Sequence, residues 1–437
     1  MTLLSSSHVP DRYCSIASKA PTFFFFKMPS EGSLRVLIVG AGIGGLSAAI
    51  ALRQQGHAVE LFERSRFANE IGAAIHLTPN ATNLLERIGV DPSKYGAVLS
   101  EQFRDFTSSG ELMFHAKLNE VSKAWPHKWY LIHRAHLHAA LKERAQSADG
   151  PGQRALLHTA SQVSRVDPST ATVELEDGRT FKGDVVLGAD GVHSVSRTEL
   201  PGSQDRVPSS SGKNAFRFMV SRQDILDDPE TASLAQLPGS VDMWHDNERK
   251  VVIYPCVNNT VLNFVCIHPD HLTQVGVSGG WDQSIGKSTL LEVYNDFDPS
   301  VQKMLAKADP ETLKIWPLLD MPTLETWVQD RLALLGDAAH PFLPYRGAGG
   351  AMAIEDGISL AVMLPQGVPR EEVPARLKLY EYARHARVTQ VQEYTRESGR
   401  SHLSFSEVMP MINFIYGHDE WESSSKIVQQ SLFSSAS

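Results

Sequence analysis

The sequence predicts an α/β chain built on a doubly wound parallel sheet, with an inserted, mainly antiparallel β-sheet domain and C-terminal helices. Three observations carry that expectation. Val36 to Gly45 reads VLIVGAGIGG, an apolar strand running into a glycine turn and a helix. Residues from about 213 to 319 change texture to short β-rich runs separated by Asn and Asp turns. At Leu334 to Gly350, LLGDAAHPFLPYRGAGG puts a second apolar strand before a glycine-rich opening to a new helix.

Leu34 to Val39 is a continuous apolar run, the mark of a strand buried on both faces. Leu46 to Gln55 has helical spacing, Gly56 stops it, and Ala58 to Glu63 is a second strand, which completes a βαβ unit. Gly40, Gly42 and Gly45 form G-x-G-x-x-G, where absent side chains let backbone amides at a helix N-terminus approach a pyrophosphate. Glu63 follows eighteen residues beyond Gly45, where a carboxylate accepts hydrogen bonds from ribose hydroxyls and disfavours a 2′-phosphate. The loop therefore reads as a dinucleotide site.

A helix around Ala81 to Ile88 leads to strand pairs over Phe103 to Phe114, turning at Ser108 to Gly110. Tyr130 to Lys142 is a strand running into a helix with Arg134 at the junction, either a phosphate or ring-edge ligand or a surface cap charge. Val173 to Phe181 is a hairpin turning at Asp177 and Gly178. Behind it, DVVLGADGVHS at Asp184 to Ser194 ends another buried strand in a Gly-Ala-Asp-Gly turn, which either brings Asp190 and its backbone to a cofactor or is an ordinary loop. Within the inserted region, Phe216 to Val220, Val241 to His245, Val251 to Tyr254 and Val261 to Ile267 are strand candidates. Thr289 to Lys307 reads as helical, Trp316 to Pro322 as a connection, Ala351 to Leu364 as a helix, and Arg376 to Glu397 as a long amphipathic helix. The Ser-rich last residues read as frayed.

These elements divide the chain into a disordered extension (1–29), a cofactor domain (30–212, with strands in 103–129 on the substrate side), a substrate domain (213–319), the second part of the cofactor domain (320–364) and a helical region (365–437). Met28 directly precedes the compact part, so residues 1–27 read as an extended or misassigned start. A net charge of −9 and a pI near 6.0 give no general attraction to nucleic acid or anionic lipid, and no apolar run approaches the roughly 20 residues a membrane span needs. Cys14, Cys256 and Cys266 lack metal-ligand spacing, so no metal is expected. A reduced, cytoplasmic monomer or homodimer with a small-molecule partner is the expectation.

The ordered trio of GAGIGG at Gly40, GADG at Gly188 and GDAAHPFLPYRGAGG at Gly336 resembles the class A flavoprotein monooxygenases, most closely the fungal salicylate hydroxylase-like group. IGAAIHLTPNA at Ile71, HRAHL at His133 and YEYARHAR at Tyr380 extend the resemblance over roughly residues 34 to 400. It implies a para-hydroxybenzoate-hydroxylase-like architecture, with one noncovalent FAD between a doubly wound domain and a β-sheet substrate domain. NADH or NADPH would serve as a transient reductant. By the same resemblance Glu63 would bind the adenosine ribose, with Arg64 beside it, and Arg134 the flavin side. Asp190, Gly336 and Asp337 would join the cofactor contacts, Asp337 toward the ribityl or pyrophosphate region. Gly349, Gly350 and Ala351 would border the isoalloxazine, and Ala74 would meet the FAD through its backbone. Ala348 stands where family members often carry Gln in P-x-x-G-Q-G, which bears on the fine placement of the flavin.

The expected reaction inserts oxygen from molecular oxygen into a small phenolic or salicylate-like aromatic, with or without decarboxylation or dearomatisation. A phenol with an intrinsic pKa near 10 needs a cation or hydrogen-bond donor to ionise at neutral pH. Arg217, in AFRFMV on the first strand of the substrate domain, is the leading candidate; a one-residue register shift would put it on the outer face instead. His245 and Tyr254 are the alternatives for relaying the phenolic proton, against a solvated strand end for the former and core packing for the latter. His340 reads as structural or flavin-adjacent, and Trp125, Trp129 and Trp244 as core in preference to the lining of an aromatic pocket. Two competing functions are a flavin oxidase or dehydrogenase that inserts no oxygen, and a noncatalytic flavin-binding protein.

Overall fold

A computed structural model describes residues 32–66, 73–121, 125–273, 283–400 and 403–435. The expected extension at 1–29, Cys14, and the start of the Ile71 motif lie outside those residues. The central sheet has six strands in the order Val328–Gln329, Leu332–Leu334, Val185–Gly188, Arg35–Val39, Ala58–Phe62 and Leu156–His158, all parallel except the first hairpin. Its middle strands are buried on both faces, as their unbroken apolar runs require. The glycine turn after Arg35–Val39 is dictated by backbone packing. Gly40 has φ +98°, and a Cβ there would lie 2.4 Å from the Ala189 carbonyl; one at Gly45 would lie 2.1 Å from the Gly40 carbonyl.

An eight-stranded sheet forms the second layer. Its order is Gln283–Ser284, Lys314–Asp320, Ser209–Ser221, Val261–Pro269, Lys250–Cys256, Ser240–His245, Gln102–Thr107 and Leu112–Lys117. All pairs are antiparallel except Ser240–His245 with Gln102–Thr107. One face packs Phe216, Phe218, Trp244 and Phe264 against the helices Lys287–Val293 and Pro299–Ala306 and against Tyr294 between them. The other face turns toward the six-stranded layer, where Ala74–Leu77, Tyr130–His133 and Val98–Leu99 form a small connecting sheet.

Four sequence expectations need correction. The stretch Thr289 to Lys307 is two helices: the first ends at Val293, and Asp298 caps a second through Ser300 and Val301, with Pro299 at its first position. Trp316 to Pro322 is largely a strand, Lys314–Asp320, rather than a connection. The helix after the second glycine run begins at Ala348, inside the run, and not at Ala351. The Ser-rich C-terminus forms the helix Glu420–Ser435, held by a buried Ser424 that bonds Glu420 and Ser359. The long helix spans Val373–Arg400. No helix among the described residues is long and apolar enough to cross a membrane.

Candidate active site

Between the two sheets lies a cavity of about 900 Å³, at the upper end of the roughly 300–1,000 Å³ usual for small-molecule sites. Two helices aim their N-termini into it. Gly42, Ile43 and Gly44 line the wall at the start of Ile43–Gln54, and Gly347 to Gly350 do so at the start of Ala348–Met363. A third helix, Arg134–Gln146, brings Arg134 to the same wall from its first residue. First-turn amides have no intrahelical partner, so this convergence concentrates donors and partial positive charge on the cavity. A Cβ added at Gly42 or Gly191 would meet no atom within 4 Å, so both glycines leave space free rather than relieve crowding.

Gly336 and Asp337 close the end of the strand Leu332–Leu334 and also line the cavity. Their loop is pinned from behind: the Asp356 carboxylate accepts from the Gly336 amide at 2.9 Å, from His340 Nε2 at 2.6 Å and from Arg384 Nε at 2.9 Å. His340 is therefore a structural residue. Asp337 is exposed on the cavity wall, where the enclosing protein pushes its carboxyl above the ordinary value, with His340 and Arg134 opposing the shift.

The substrate-sheet face presents its side chains in register. Arg217, Val265, Val252, Met243 and Asp105 lie side by side across five strands, and all line the cavity. Arg217 thus faces inward. Its guanidinium lies 4.6 Å from the Trp316 ring centroid, and its buried Nε has no hydrogen-bond partner. Burial lowers its affinity for a proton, the neighbouring Tyr254 partly restores it, and Arg134 adds repulsion. Tyr254 also lines the cavity, yet its hydroxyl donates to the Ala74 carbonyl at 2.7 Å, the satisfied arrangement expected of core packing. Burial raises the phenol well above its usual value. Ala74 in turn donates its amide to Asn263 Oδ1 at 3.0 Å.

Several expected site residues stand elsewhere. His245 is buried behind the wall, 3.1 Å from Asp105 Oδ1, with only Asp105 of the pair reaching the cavity. Asp190 turns away from the cavity: its carboxylate accepts from the Ser194 hydroxyl at 2.6 Å and the Val195 and Ser196 amides at 2.8 and 2.9 Å, so it caps the next turn while Ala189 and Gly191 face the space. Ala351 is buried inside its helix, not on the wall, and Arg64 is exposed. Glu63 does not reach the wall either; it holds the glycine turn by accepting the Ala41 amide at 3.0 Å and the Ser65 amide at 2.8 Å.

The wall also contains residues that sequence reasoning missed or took for core. Trp125 and Trp129 line it, as does His76, which burial holds neutral at a pKa of about 4. Phe342, Lys250 and Arg346 join it, and the helix Phe405–Tyr416 closes one side through Met409, Ile412 and Tyr416. Alternation along KVVIYPC would have paired Lys250 with Tyr254; for the closing helix no local signal distinguishes a lid from an ordinary amphipathic helix.

Comparisons agree with this geometry. The FAD binding domain family matches residues 33–395. Hispidin-3-hydroxylase of Neonothopanus nambi is 32% identical over 426 residues, covering 93% of this chain and 99% of the relative. The 3-hydroxybenzoate 6-hydroxylase of Polaromonas naphthalenivorans is 31% identical, over 85% of this chain and 88% of its own. Among solved structures, CtdE in complex with FAD and a substrate superposes with a TM-score of 0.80 at 23% identity, covering 92% of this chain and 100% of that one. A salicylate hydroxylase substrate complex does so with 0.75 at 22%, covering 91% and 98%.

Proposed function

The chain belongs to the FAD binding domain family, as an FAD-dependent aromatic monooxygenase, and on that premise we propose that it hydroxylates a small phenolic or salicylate-like metabolite at the expense of NAD(P)H and molecular oxygen. One observation carries the substrate reading: Arg217 Nε is buried without a partner on the wall of the cavity that the glycine turns also line.

The residues present fit FAD. Gly42 leaves open space at a helix N-terminus, where a pyrophosphate can reach backbone amides, and Gly349 and Gly350 leave the first turn of the second helix without side chains on the same cavity. Gly42, Ile43, Gly44, Arg134, Asp337 and Gly349 are the groups we assign to holding it, with Glu63 shaping the first loop. When bound, FAD supplies the reduction by NAD(P)H and the activation of oxygen.

The chain's own residues must then make the substrate electron-rich and hold it. Arg217 favours phenolate over phenol, because a poorly hydrated cation stabilises the anion more than it would in water. Val252, Val265, Phe103 and Trp129 exclude water from around the ring. Tyr254 fixes the Ala74 backbone and thereby positions the cavity wall. The same reading divides the chain into the cofactor parts 30–212 and 320–364, the substrate part 213–319 and the C-terminal helices.

The test is a panel of phenols screened for stimulation of NAD(P)H oxidation, followed by mass analysis of the product formed under ¹⁸O₂. Label in the product is expected. Stimulated oxidation with an oxidised but unlabelled product would instead identify an oxidase or dehydrogenase.

A further inference from the structure

Two cations of the cavity wall are not accounted for by the groups assigned above. Lys250 opens the strand Lys250–Cys256 and shares its inward face with Val252 and Tyr254. Its ammonium donates to the Ser398 carbonyl at 2.7 Å and lies 5.1 Å from the Tyr345 ring centroid. No carboxylate among the described residues forms an ion pair with it. Arg346 comes from the loop before Ala348–Met363, likewise without an ion pair among the described residues, and its buried Nε has no hydrogen-bond partner. It also holds a left-handed backbone, φ +75°, which a non-glycine residue rarely adopts.

Electrostatics makes the pair costly as it stands. Burial, followed by repulsion from Arg346 and Lys213, pulls the Lys250 ammonium down to about 8, with Asp105 only partly offsetting them. Burial also lowers Arg346. Like charges removed from water repel one another, and an anion placed between them offsets both the repulsion and the lost hydration.

Their position separates them from Arg217. In the sheet register Arg217 lies beside Val265, Val265 beside Val252, and Lys250 one inward-facing position before Val252. Two strand spacings and one two-residue step put the Cα atoms of Arg217 and Lys250 roughly 12 Å apart. The side chains lean apart as well, Arg217 over Trp316 on the next strand outward and Lys250 toward Ser398 and Tyr345, so an elongated aromatic rather than a single phenol reaches both cations.

We propose that Lys250 and Arg346 form a second anion-binding point in the substrate cavity, which takes a carboxylate at the far end of an elongated aromatic substrate. This rests on the monooxygenase reading and narrows it from any phenol to an aromatic acid with two anionic ends. The pair determines specificity; it does not touch the reacting bond.

Equilibrium binding tests it without turnover. 4-Hydroxycinnamate and its methyl ester are titrated against FAD-loaded protein, read by flavin absorbance and by calorimetry, for the natural sequence and for Lys250→Met, Arg346→Met and Lys250→Arg. The acid is expected to bind about tenfold tighter than the ester. Each Met variant should bring the two within about twofold by weakening the acid alone, and Lys250→Arg should keep the preference. Melting temperature and FAD content verify each variant, and the two Met variants probe the same point from different elements, so failure of one to fold leaves the other. An acid-to-ester ratio near one in the natural protein, a ratio unchanged in a folded Met variant, or no binding of the acid at about 20 mM overturns the second anion point. If the ester binds and NAD(P)H is still consumed, the monooxygenase reading survives that result; failure of the natural protein to take up FAD would overturn both.

Discussion

Tyr254 and Ala74 join two sheets in the wall of the cavity: the phenol of the substrate sheet donates to a backbone carbonyl of the small connecting sheet at 2.7 Å. Tyr254→Phe removes the donor and leaves a buried carbonyl unsatisfied, which costs about 1–3 kcal/mol. The expected result is a lower melting temperature with FAD retained, and product yield per NAD(P)H reduced less than by Arg217→Gln. A yield reduced as much as in Arg217→Gln would assign Tyr254 a direct part in the chemistry.

Gly42 and Gly45 separate ligand binding from folding. Gly42→Val places its side chain where no protein atom lies within 4 Å, so the variant should fold but carry no FAD. Gly45→Ala would place Cβ 2.1 Å from the Gly40 carbonyl and should damage folding itself. Flavin absorbance per protein, beside circular dichroism, distinguishes the two, and a fully yellow Gly42→Val protein would remove that loop from the cofactor site.

Arg217→Lys keeps the charge but loses the planar fork, so partial hydroxylation should remain; Arg217→Gln should impair hydroxylation more than FAD binding. The readout is product per NAD(P)H consumed, across pH, in flavin-loaded variants. Unchanged coupling in Arg217→Gln would move the phenolate partner elsewhere on the wall.

Acid should weaken the fold through Glu355 and Asp356. Both are fully buried, and burial alone would raise their carboxyls. For Glu355 the guanidiniums of Arg387 and Arg384, and for Asp356 His340 and Arg384, outweigh burial and hold them below the usual carboxylate range. A depressed folded-state pKa gives stability that is present above the unfolded value, about 4, and is lost as pH falls toward the folded one. Glu355→Gln should cost about 3–5 kcal/mol at pH 7, because it leaves buried arginines underpaired, and should flatten the decline below pH 4. Urea melts from pH 7 to 3 measure both, and an unaltered acid limb in the variant would place the acid sensitivity elsewhere.

Much of this site was legible because its logic is local. Strand, glycine turn and helix follow one another in Val36 to Gln54, and the period of two along AFRFMV allows only two faces for Arg217. What local reasoning missed is set by tertiary partners. Asp190 looks like a cofactor ligand in GADG, yet the neighbouring amides of Val195 and Ser196 use its oxygens. His245 sits on an inward-facing position and is intercepted by Asp105, which comes from a strand more than a hundred residues earlier. Lys250 and Arg346 were overlooked because a lone cation in sequence carries no record of whether a carboxylate waits across the fold.

The parallel pairing of Gln102–Thr107 with Ser240–His245 also governs the order in which the chain is completed during synthesis. The earlier strand and its hairpin partner leave the ribosome well before the strand that will cover their open edge. At about 5–20 residues per second the interval is on the order of ten seconds. For that time an unpaired edge next to Phe103 and Phe106 is available to any other nascent chain. Slow elongation across residues 110–240 should therefore lower the yield of native enzyme even though no amino acid is changed.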